Sequence, residues 1–468
     1  MFGSYHTGRS GAMGPNAVDA EMGVPQVATV AATSSINVVP GQASPTPSPT
    51  EHSPLLATPG GGRIHAAEAK EEETPKQGVL PGYMTLTTAF VGGGLLALPF
   101  GVAHVGLWLG LGCLILFAAM SGHTLHLLVR TRRKLAPKHN VLYLSEIGQL
   151  AYGKAGARVA SLAAFLTQAG FCCAYTIFVA DNLHSLIPRF ATHEWVGMVT
   201  PVFIALSWLR SLRVLAPTST LAVVCVMVVV AVVFESGFRH EGIRELSSYK
   251  AADVTSLPLF WGIAAFGFCV HNLVLPFDAS ARRPEVSGAT INAAVSTVLV
   301  IYTAFGLFGY LFFGSATKAV ITLNLPHSVL VTVVKIALCV VLTCTFPIQL
   351  FPVTCVMEEA LLSSRKLRPT YWLEQNALRA VEVIIISGVA IAIPLFGLFS
   401  SLMGAFSVSA VVFILPTLFY LKLFWAELTT WDKILNGSIF VLGAVGSVVA
   451  TVFDVAEIAN ALKSGKSQ

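Results

Sequence analysis

Hydrophobic residues dominate the chain from about residue 79 onward, in long runs separated by short polar segments. An apolar run of roughly 20 residues spans the hydrocarbon core of a bilayer as an α-helix. The pattern therefore predicts an all-α, polytopic membrane protein with about eleven spanning helices. Their predicted bounds are 80–104, 107–129, 157–183, 194–210, 215–235, 257–277, 287–313, 328–360, 377–396, 399–423 and 434–459.

The first predicted helix contains the sequence LTTAFVGGGLLALPF at residues 86–100, which weakens helical backbone in its middle. Gly92, Gly93 and Gly94 lack the side chains that favour a helix, and Pro99 removes an amide donor. In hydrocarbon, an unpaired backbone group is costly unless protein, water or a ligand satisfies it. A break at this depth is therefore either a binding site or a kink where helices pack tightly.

The sixth predicted helix contains a second set of helix-weakening residues. Gly262 and Gly267 precede the sequence FCVHN at 268–272, and Pro276 follows it. Helices one and six open two consecutive groups of five helices, which run in opposite directions across the bilayer. Interrupted helices at matching positions of inverted halves indicate a transporter site at the membrane midplane. We therefore favour a binding site over a packing kink.

Composition and charge agree with a membrane protein and predict its orientation. Hydrophobic residues make up 54% of the chain and charged residues 11%, against about 25% charged in globular domains. With the N-terminus in the cytosol, the predicted inner loops hold 17 Lys and Arg residues and the outer loops hold 7. Basic residues are concentrated in cytosolic loops of membrane proteins. We therefore predict a cytosolic N-terminus and a C-terminus on the outer or lumenal side.

Residues 1–78 are predicted to form a disordered cytosolic tail, because they are rich in Gly, Pro, Ser, Thr and Ala and poor in aromatic residues. A transmembrane domain at 79–463 and a short tail at 464–468 follow. Within the first tail, Glu51, Leu55 and Leu56 match the acidic dileucine pattern that adaptor proteins read on proteins sent to lysosomes or vacuoles. The alternative is a chance pair of leucines.

Several motifs, in order along residues 79–460, resemble those of proton-coupled amino acid transporters. The sequence GGGLLALP at residues 92–99 resembles their GTGLLGLP. Residues 167–183 resemble their third span, 212–219 the link between spans four and five, and 307–314 with 321–326 the end of span seven. On these residues the chain is identified as a member of the amino acid/auxin permease family, resembling its lysosomal and vacuolar proton-coupled branch.

The resemblance implies a fold with a five-plus-five inverted repeat, the LeuT-like or APC fold, with discontinuous helices one and six. It also implies secondary transport of amino acids. We expect neutral L-amino acids to cross with a proton by alternating access, in which helices 1, 2, 6 and 7 rock against the other helices. The expected location is the vacuolar or lysosomal membrane, and the plasma membrane is the alternative.

The residues at the first break match neither the proton-coupled nor the sodium-coupled members, so the sequence leaves both coupling ions as alternatives. Sodium-coupled members carry an Asn where this chain has Thr88, and proton-coupled members carry an Asn where it has Phe90. The acidic residue that proton-coupled members place in helix six corresponds here to Cys269.

Three residues are candidates for ion coupling. His271 lies in the second break, and an unperturbed histidine titrates near pH 6.5, between a neutral cytosol and an acidic lumen. His271 is therefore predicted to carry the proton or to contact the substrate, and its alternative role is that of a hydrogen-bonded structural histidine. His123 aligns with a histidine of the proton-coupled branch. Thr345 is a possible sodium ligand, or its hydroxyl bonds back to its own helix.

The two charged groups of an amino acid predict which residues bind it. Free N–H groups at the helix start after the first break suit the carboxylate. Unwound carbonyl groups near 88–91 and 267–270 suit the ammonium, and nearby aromatic residues would select the side chain, although core or lipid packing is their alternative role. The predicted substrate-binding residues are Thr88, Phe90, Gly92, Gly93, Gly94, Leu95, Phe171, Tyr175, Phe266, Phe268 and His271.

Two rival functions are weighed against transport. A nutrient sensor (transceptor) would bind amino acids and signal through the 78-residue tail. An intramembrane enzyme is disfavoured because the sequence contains no metal-ligand cluster, no HExxH motif and no paired carboxylates within one helix. We expect no metal, no cofactor and no nucleic acid. The expected partners are an amino acid, a proton or sodium ion, membrane lipid, and an adaptor protein at the dileucine pattern.

Overall fold

The computed structural model describes residues 76, 78–209, 216–243, 245–362 and 370–464, and these residues fold into fourteen α-helices. The predicted tail with Glu51, Leu55 and Leu56 lies outside the described residues. The helices are α1 (Val79–Phe90), α2 (Gly93–Val105), α3 (Leu107–Leu135), α4 (Leu144–Leu186), α5 (Thr192–Ser207), α6 (Ala216–Ser236), α7 (Leu257–Gly267), α8 (His271–Ser280), α9 (Ser287–Phe313), α10 (Val329–Leu362), α11 (Tyr371–Ala392), α12 (Phe396–Met403), α13 (Leu415–Phe424) and α14 (Thr430–Ser464).

The first and sixth predicted spans are both interrupted. Helices α1 and α2 meet at an angle of 51°, and α7 and α8 are separated by residues 268–270. Counting α1 and α2 as one span, the described residues contain up to ten stretches long and apolar enough to cross a membrane. Helix α5 has 16 residues, about 24 Å at 1.5 Å per residue, which is shorter than the hydrocarbon core. The count of eleven therefore stays a prediction.

Several helices extend beyond their predicted bounds. Helix α3 continues to Leu135 with three basic residues in its last turn, because basic side chains suit the negative end of a helix dipole. Helix α4 begins at Leu144, well before the predicted start at 157, and a kink at Tyr152 and Gly153 separates its first turns from the rest. Gly153 has a φ of 64°, which glycine adopts without the strain other residues suffer.

Small residues bring the outer half of the sixth span against the tenth. We call the face where α1 begins the inner face and the opposite one the outer face. A Cβ on Gly262 of α7 would overlap Ser401 of α12, and a Cβ on Gly404 would overlap the Gly262 carbonyl. Two π-helical segments, Gly404–Val408 and Ala410–Ile414, connect α12 to α13. These wide turns often occur at functional sites.

Both faces of the bundle are closed. At the inner face, the buried Asp278 at the end of α8 pairs with Arg132 (2.8 Å) and Arg133 (2.6 Å) of α3. At the outer face, the backbone around α2 and α3 bonds to the loop before α7. For example, the N–H of Leu107 at the start of α3 donates to the carbonyl of Lys250 in that loop at 2.9 Å.

Candidate functional site

The first break lies between Phe90 and Gly93. The N–H of Gly92 donates to the carbonyl of Phe90 at 2.8 Å, and the N–H of Leu95 donates to the carbonyl of Gly92 at 3.2 Å. Helix α2 begins at Gly93, and no side chain caps its start. Because the first N–H groups of a helix have no acceptor within it, Gly93 and Gly94 present free donors. Of the four N–H groups predicted to bind the carboxylate, from Gly92 to Leu95, those of Gly92 and Leu95 already have backbone acceptors.

The second break lies between Gly267 and His271, and helix α3 supports it. Phe268 and Val270 leave helical geometry, with ψ of 26° and 12°. The hydroxyl of Ser121 on α3 donates to the Phe268 carbonyl at 3.1 Å. This bond satisfies one carbonyl group that the interruption frees.

The two breaks touch each other, backbone to backbone. A Cβ on Gly94 would lie 2.7 Å from the Cα of Gly267 and 3.3 Å from Phe266. Such contact is too close for any side chain at this position, and displacing backbone is costly. Helices α2 and α7 are therefore in direct backbone contact at this point.

Tyr302 of α9 links the two breaks. Its hydroxyl lies 2.5 Å from the Phe90 carbonyl oxygen and 2.9 Å from the Gly267 carbonyl oxygen, and its side chain is completely buried. The Phe90 carbonyl also accepts the Gly92 N–H at 2.8 Å, so the single hydroxyl proton can serve Gly267 and each carbonyl has one donor. Each of the three oxygens in this cluster keeps a lone pair that could accept a further hydrogen bond.

Sequence analysis missed Tyr302. The available signal was a tyrosine in the middle of a membrane-spanning helix, because a buried tyrosine hydroxyl requires a hydrogen-bond partner.

The predicted aromatic residues gather around this oxygen cluster. Phe268 packs against both Phe90 (ring centroids 6.3 Å apart) and Tyr302 (5.1 Å). Phe171 packs against Phe266 at 4.6 Å. Tyr175 lies across the first break, because a Cβ on Gly93 would be 3.2 Å from its ring. The residues that the structure brings together are Phe90, Gly92, Gly93, Gly94, Phe171, Tyr175, Phe266 and Phe268.

His271 begins α8 and is buried, with 1% of its surface exposed. Its Nε2 lies 2.9 Å from the hydroxyl of Thr124, which is also placed to donate to the carbonyls of Met120 and Ser121. If Thr124 donates to these carbonyls, Nε2 must carry the histidine proton. Nδ1, which has no partner among the described residues, is then an acceptor next to the second break.

The remaining predicted residues differ in their positions. Leu95 is buried in the first turn of α2, and Thr88 is half-buried near the end of α1. His123 bonds Asn436 of α14 at 2.9 Å and so faces another helix. The hydroxyl of Thr345 donates to the carbonyl of Val341 in its own helix at 2.8 Å, the alternative that its sequence left open.

Comparison with known proteins adds to this geometry. The family model described as transmembrane amino acid transporter protein matches residues 75–455. Amino acid transporter AVT3A of Arabidopsis thaliana is 31% identical over 424 residues, which cover 88% of this chain and 93% of the relative. The proton-coupled amino acid transporter-like protein pathetic of Drosophila melanogaster is 29% identical over 368 residues, which cover 73% and 76%.

The fold also matches a solved structure. MhsT in complex with L-phenylalanine aligns with a TM-score of 0.52 and 13% identity, covering 79% of this chain and 97% of that chain. At this identity the likeness concerns the fold alone. It supports the LeuT-like arrangement that the family resemblance implied.

Proposed function

The chain belongs to the transmembrane amino acid transporter family, so its activity is amino acid transport, and we propose that it carries neutral L-amino acids together with protons by alternating access. The observation that carries this proposal is the meeting of the two breaks. Free N–H donors at Gly93 and Gly94 lie on α2, and the acceptor cluster around Tyr302 lies beside them. A zwitterion needs both kinds of group within a few ångströms.

In the proposed complex the carboxylate binds at the start of α2, where the helix dipole favours negative charge. The ammonium binds the cluster formed by the carbonyls of Phe90 and Gly267 and the hydroxyl of Tyr302. The pocket around the substrate side chain would be aromatic and apolar. This composition supports a neutral substrate, because a charged side chain would need a partner there.

Alternating access is supported by closure at both faces. We propose that α1, α2, α3, α7, α8 and α9 move against the other helices, so that only one face opens at a time. Helices of this group must also shift relative to one another, because substrate binding separates Gly94 of α2 from Gly267 of α7 and release breaks the pair between Asp278 of α8 and the α3 arginines.

Proton coupling is supported by His271, whose unpartnered Nδ1 lies next to the second break. We propose that it contacts the substrate or carries a proton. Sodium coupling is the alternative, and the engagement of Thr345 with its own helix weakens it. The name of the Drosophila relative, proton-coupled amino acid transporter-like protein, supports a proton.

We propose a vacuolar or lysosomal membrane with the N-terminus in the cytosol. The dileucine pattern at residues 51–56 and the excess of basic residues in the inner loops support this location and orientation.

Counterflow in proteoliposomes tests the proposal directly. The purified chain is screened against twenty amino acids with an imposed proton or sodium gradient. We expect a neutral amino acid to accumulate with the proton gradient alone, and His271→Ala to flatten the pH dependence of uptake. Accumulation driven by sodium alone would refute proton coupling, and an unchanged pH profile in the variant would place coupling elsewhere.

A further inference from the structure

Asp454 is a carboxylic acid buried in α14 near the outer end of the bundle. Its side chain has no exposed surface, and it lies roughly 36 Å along the helix from Thr430 at 1.5 Å per residue. Its Oδ2 is 2.8 Å from the hydroxyl of Ser401 on α12. Its Oδ1 has no hydrogen-bond partner among the described residues.

The hydrogen bonds around Ser401 fit a protonated Asp454. The Ser401 hydroxyl is also 2.8 Å from the carbonyl of Leu259 on α7. With one proton, Ser401 cannot donate both to an ionised carboxylate and to this carbonyl. If Asp454 is protonated, its O–H donates to Ser401, and Ser401 donates to Leu259. Only with Asp454 protonated do the contact between Asp454 and Ser401 and the contact between Ser401 and Leu259 each contain a hydrogen-bonding proton.

Among the described residues, no cation compensates an ionised Asp454. The elements that pack most on α14 are α7, α12, the two π-helical segments and α13, and α3 contacts it through His123 and Asn436, roughly 27 Å along α14 from Asp454 at 1.5 Å per residue. Helices α7 and α12 and the π-helical segments contain no ionisable side chain, and α13 contributes only Tyr420 and Lys422, near its inner end. On α14 itself the nearest ionisable group is the acidic Glu457, one turn outward and exposed. An uncompensated buried carboxylate is strongly disfavoured.

Glu382 of α11 is a useful contrast, because it is also a buried carboxyl bonded to one hydroxyl, that of Thr354 at 2.7 Å. Arg379 lies one turn away on the same helix, so a cation is close. Helix α11 packs on α4, α5 and α10, which the proposed mechanism keeps static. Glu382 therefore shares the chemistry of Asp454 without its connection to α7.

We propose that Asp454 is a proton-binding site of the transport cycle, and that its protonation holds the outer end of α7 against α12 and α14. A proton from the outer side adds to the carboxylate and forms the O–H bond that completes the link through Ser401 to Leu259. After the inner face opens, the proton leaves to the inner solution; its loss breaks the link and leaves a charge that favours hydration, so the outer end opens again. Exposed Glu457 lies on the route from the outer solution.

This inference rests on proton-coupled transport, and Asp454→Asn tests it in proteoliposomes. The amide still donates to Ser401 but cannot exchange a proton. Radiolabelled amino acid uptake and the internal pH, reported by an entrapped dye, are followed together. Wild-type uptake should change by up to about tenfold per pH unit where one group titrates. Because the amide keeps the outer link at every pH, the variant should lose proton flux and this pH dependence, and its amino acid uptake should be slow at every pH.

Glu382→Gln is the matched control and should keep proton flux. Uptake without proton flux in the wild type would refute the proposed coupling and the role of Asp454 together. Coupled wild-type transport that Asp454→Asn leaves unchanged, or that only Glu382→Gln abolishes, would overturn the role of Asp454 alone.

If Asp454→Asn does not fold, Ser401→Ala serves in its place, since it keeps the carboxyl and removes its partner. It should shift the pH midpoint of uptake by about half a unit or more. An unmoved midpoint would overturn the inference.

Discussion

Tyr302→Phe removes a single oxygen from the centre of the proposed site and leaves the ring packing against Phe268 in place. Tyr310→Phe is a close control, because Tyr310 lies two turns further along the same helix. Its buried hydroxyl accepts a bond from the N–H of Lys250 at 2.9 Å, near the outer face. Both variants lose one hydroxyl that bonds to backbone, but only Tyr302 lies at the breaks.

The magnitudes of the two changes differ for a physical reason. Each variant loses one neutral hydrogen bond, which lowers the free energy of unfolding by about 1 kcal/mol. Tyr302→Phe also removes an acceptor for the substrate ammonium, and a hydrogen bond to a charged group contributes about 1.5–3 kcal/mol. At roughly 1.4 kcal/mol per factor of ten, substrate affinity should fall by about 10- to 150-fold.

Equilibrium binding and counterflow at one fixed pH measure this effect, and a thermal melt in detergent compares stability. We expect similar melting temperatures for the two variants and a large rise in Kd for Tyr302→Phe alone. A Kd within about twofold of wild type, under 0.5 kcal/mol, would refute the role of the oxygen cluster. An equal loss in Tyr310→Phe would attribute the effect to general destabilisation.

Three further perturbations test other parts of the molecule. Gly94→Leu should abolish uptake because the leucine side chain would collide with backbone at the second break. Gly388→Leu is the control and should keep uptake, because its Cβ would face open space. Normal uptake by Gly94→Leu would refute the proposed binding site. Asp278→Asn breaks the inner ion pair and should lower the free energy of unfolding by about 2 kcal/mol, and the melting temperature with it. This loss is smaller than that for a fully buried pair because both arginines are partly exposed. An unchanged melting temperature would show that the pair does not hold the inner face closed. Hydrogen bonds from Lys250 and Thr255 lower the pKa of Asp253 in the outer loop. The contribution of Asp253 to stability is therefore present above the ordinary pKa and is lost only as pH falls through the lowered pKa. Asp253→Asn should leave the shape of the uptake profile between about pH 5 and 7.5 unchanged, and a flattened profile would contradict this.

The breaks were predictable because glycine clusters are rare signals in apolar runs. The first break falls at Gly92, as predicted. The second falls at 268–270, within the predicted FCVHN segment. Pro99 and Pro276, in contrast, lie inside α2 and α8, so neither proline marks the interruption itself. A proline within a helix removes one bond and bends it, but continued packing on both sides keeps the helix intact.

The partners of the broken segments were not predictable, because they come from distant parts of the sequence. Nothing local indicates that Ser121 supports the carbonyl of Phe268, or that Tyr302 lies between two carbonyls. Asp454 is a different case, since it falls inside the predicted eleventh helix. An ionisable residue within a span is a functional signal, and sequence analysis passed over it.

The two faces of the bundle are closed by opposite kinds of chemistry, and in the proposed mechanism this difference would give alternating access a direction. At the inner face Asp278 is held by two arginines. At the outer face Asp454 has no cation beside it in the part of the chain that the structure describes, and only a proton completes its link to Ser401. Acid in the outer compartment therefore favours outer closure and leaves the inner pair unaffected. In the proposed orientation, a proton and an amino acid that bind from an acidic lumen would close the outer face behind them, so release occurs into the cytosol.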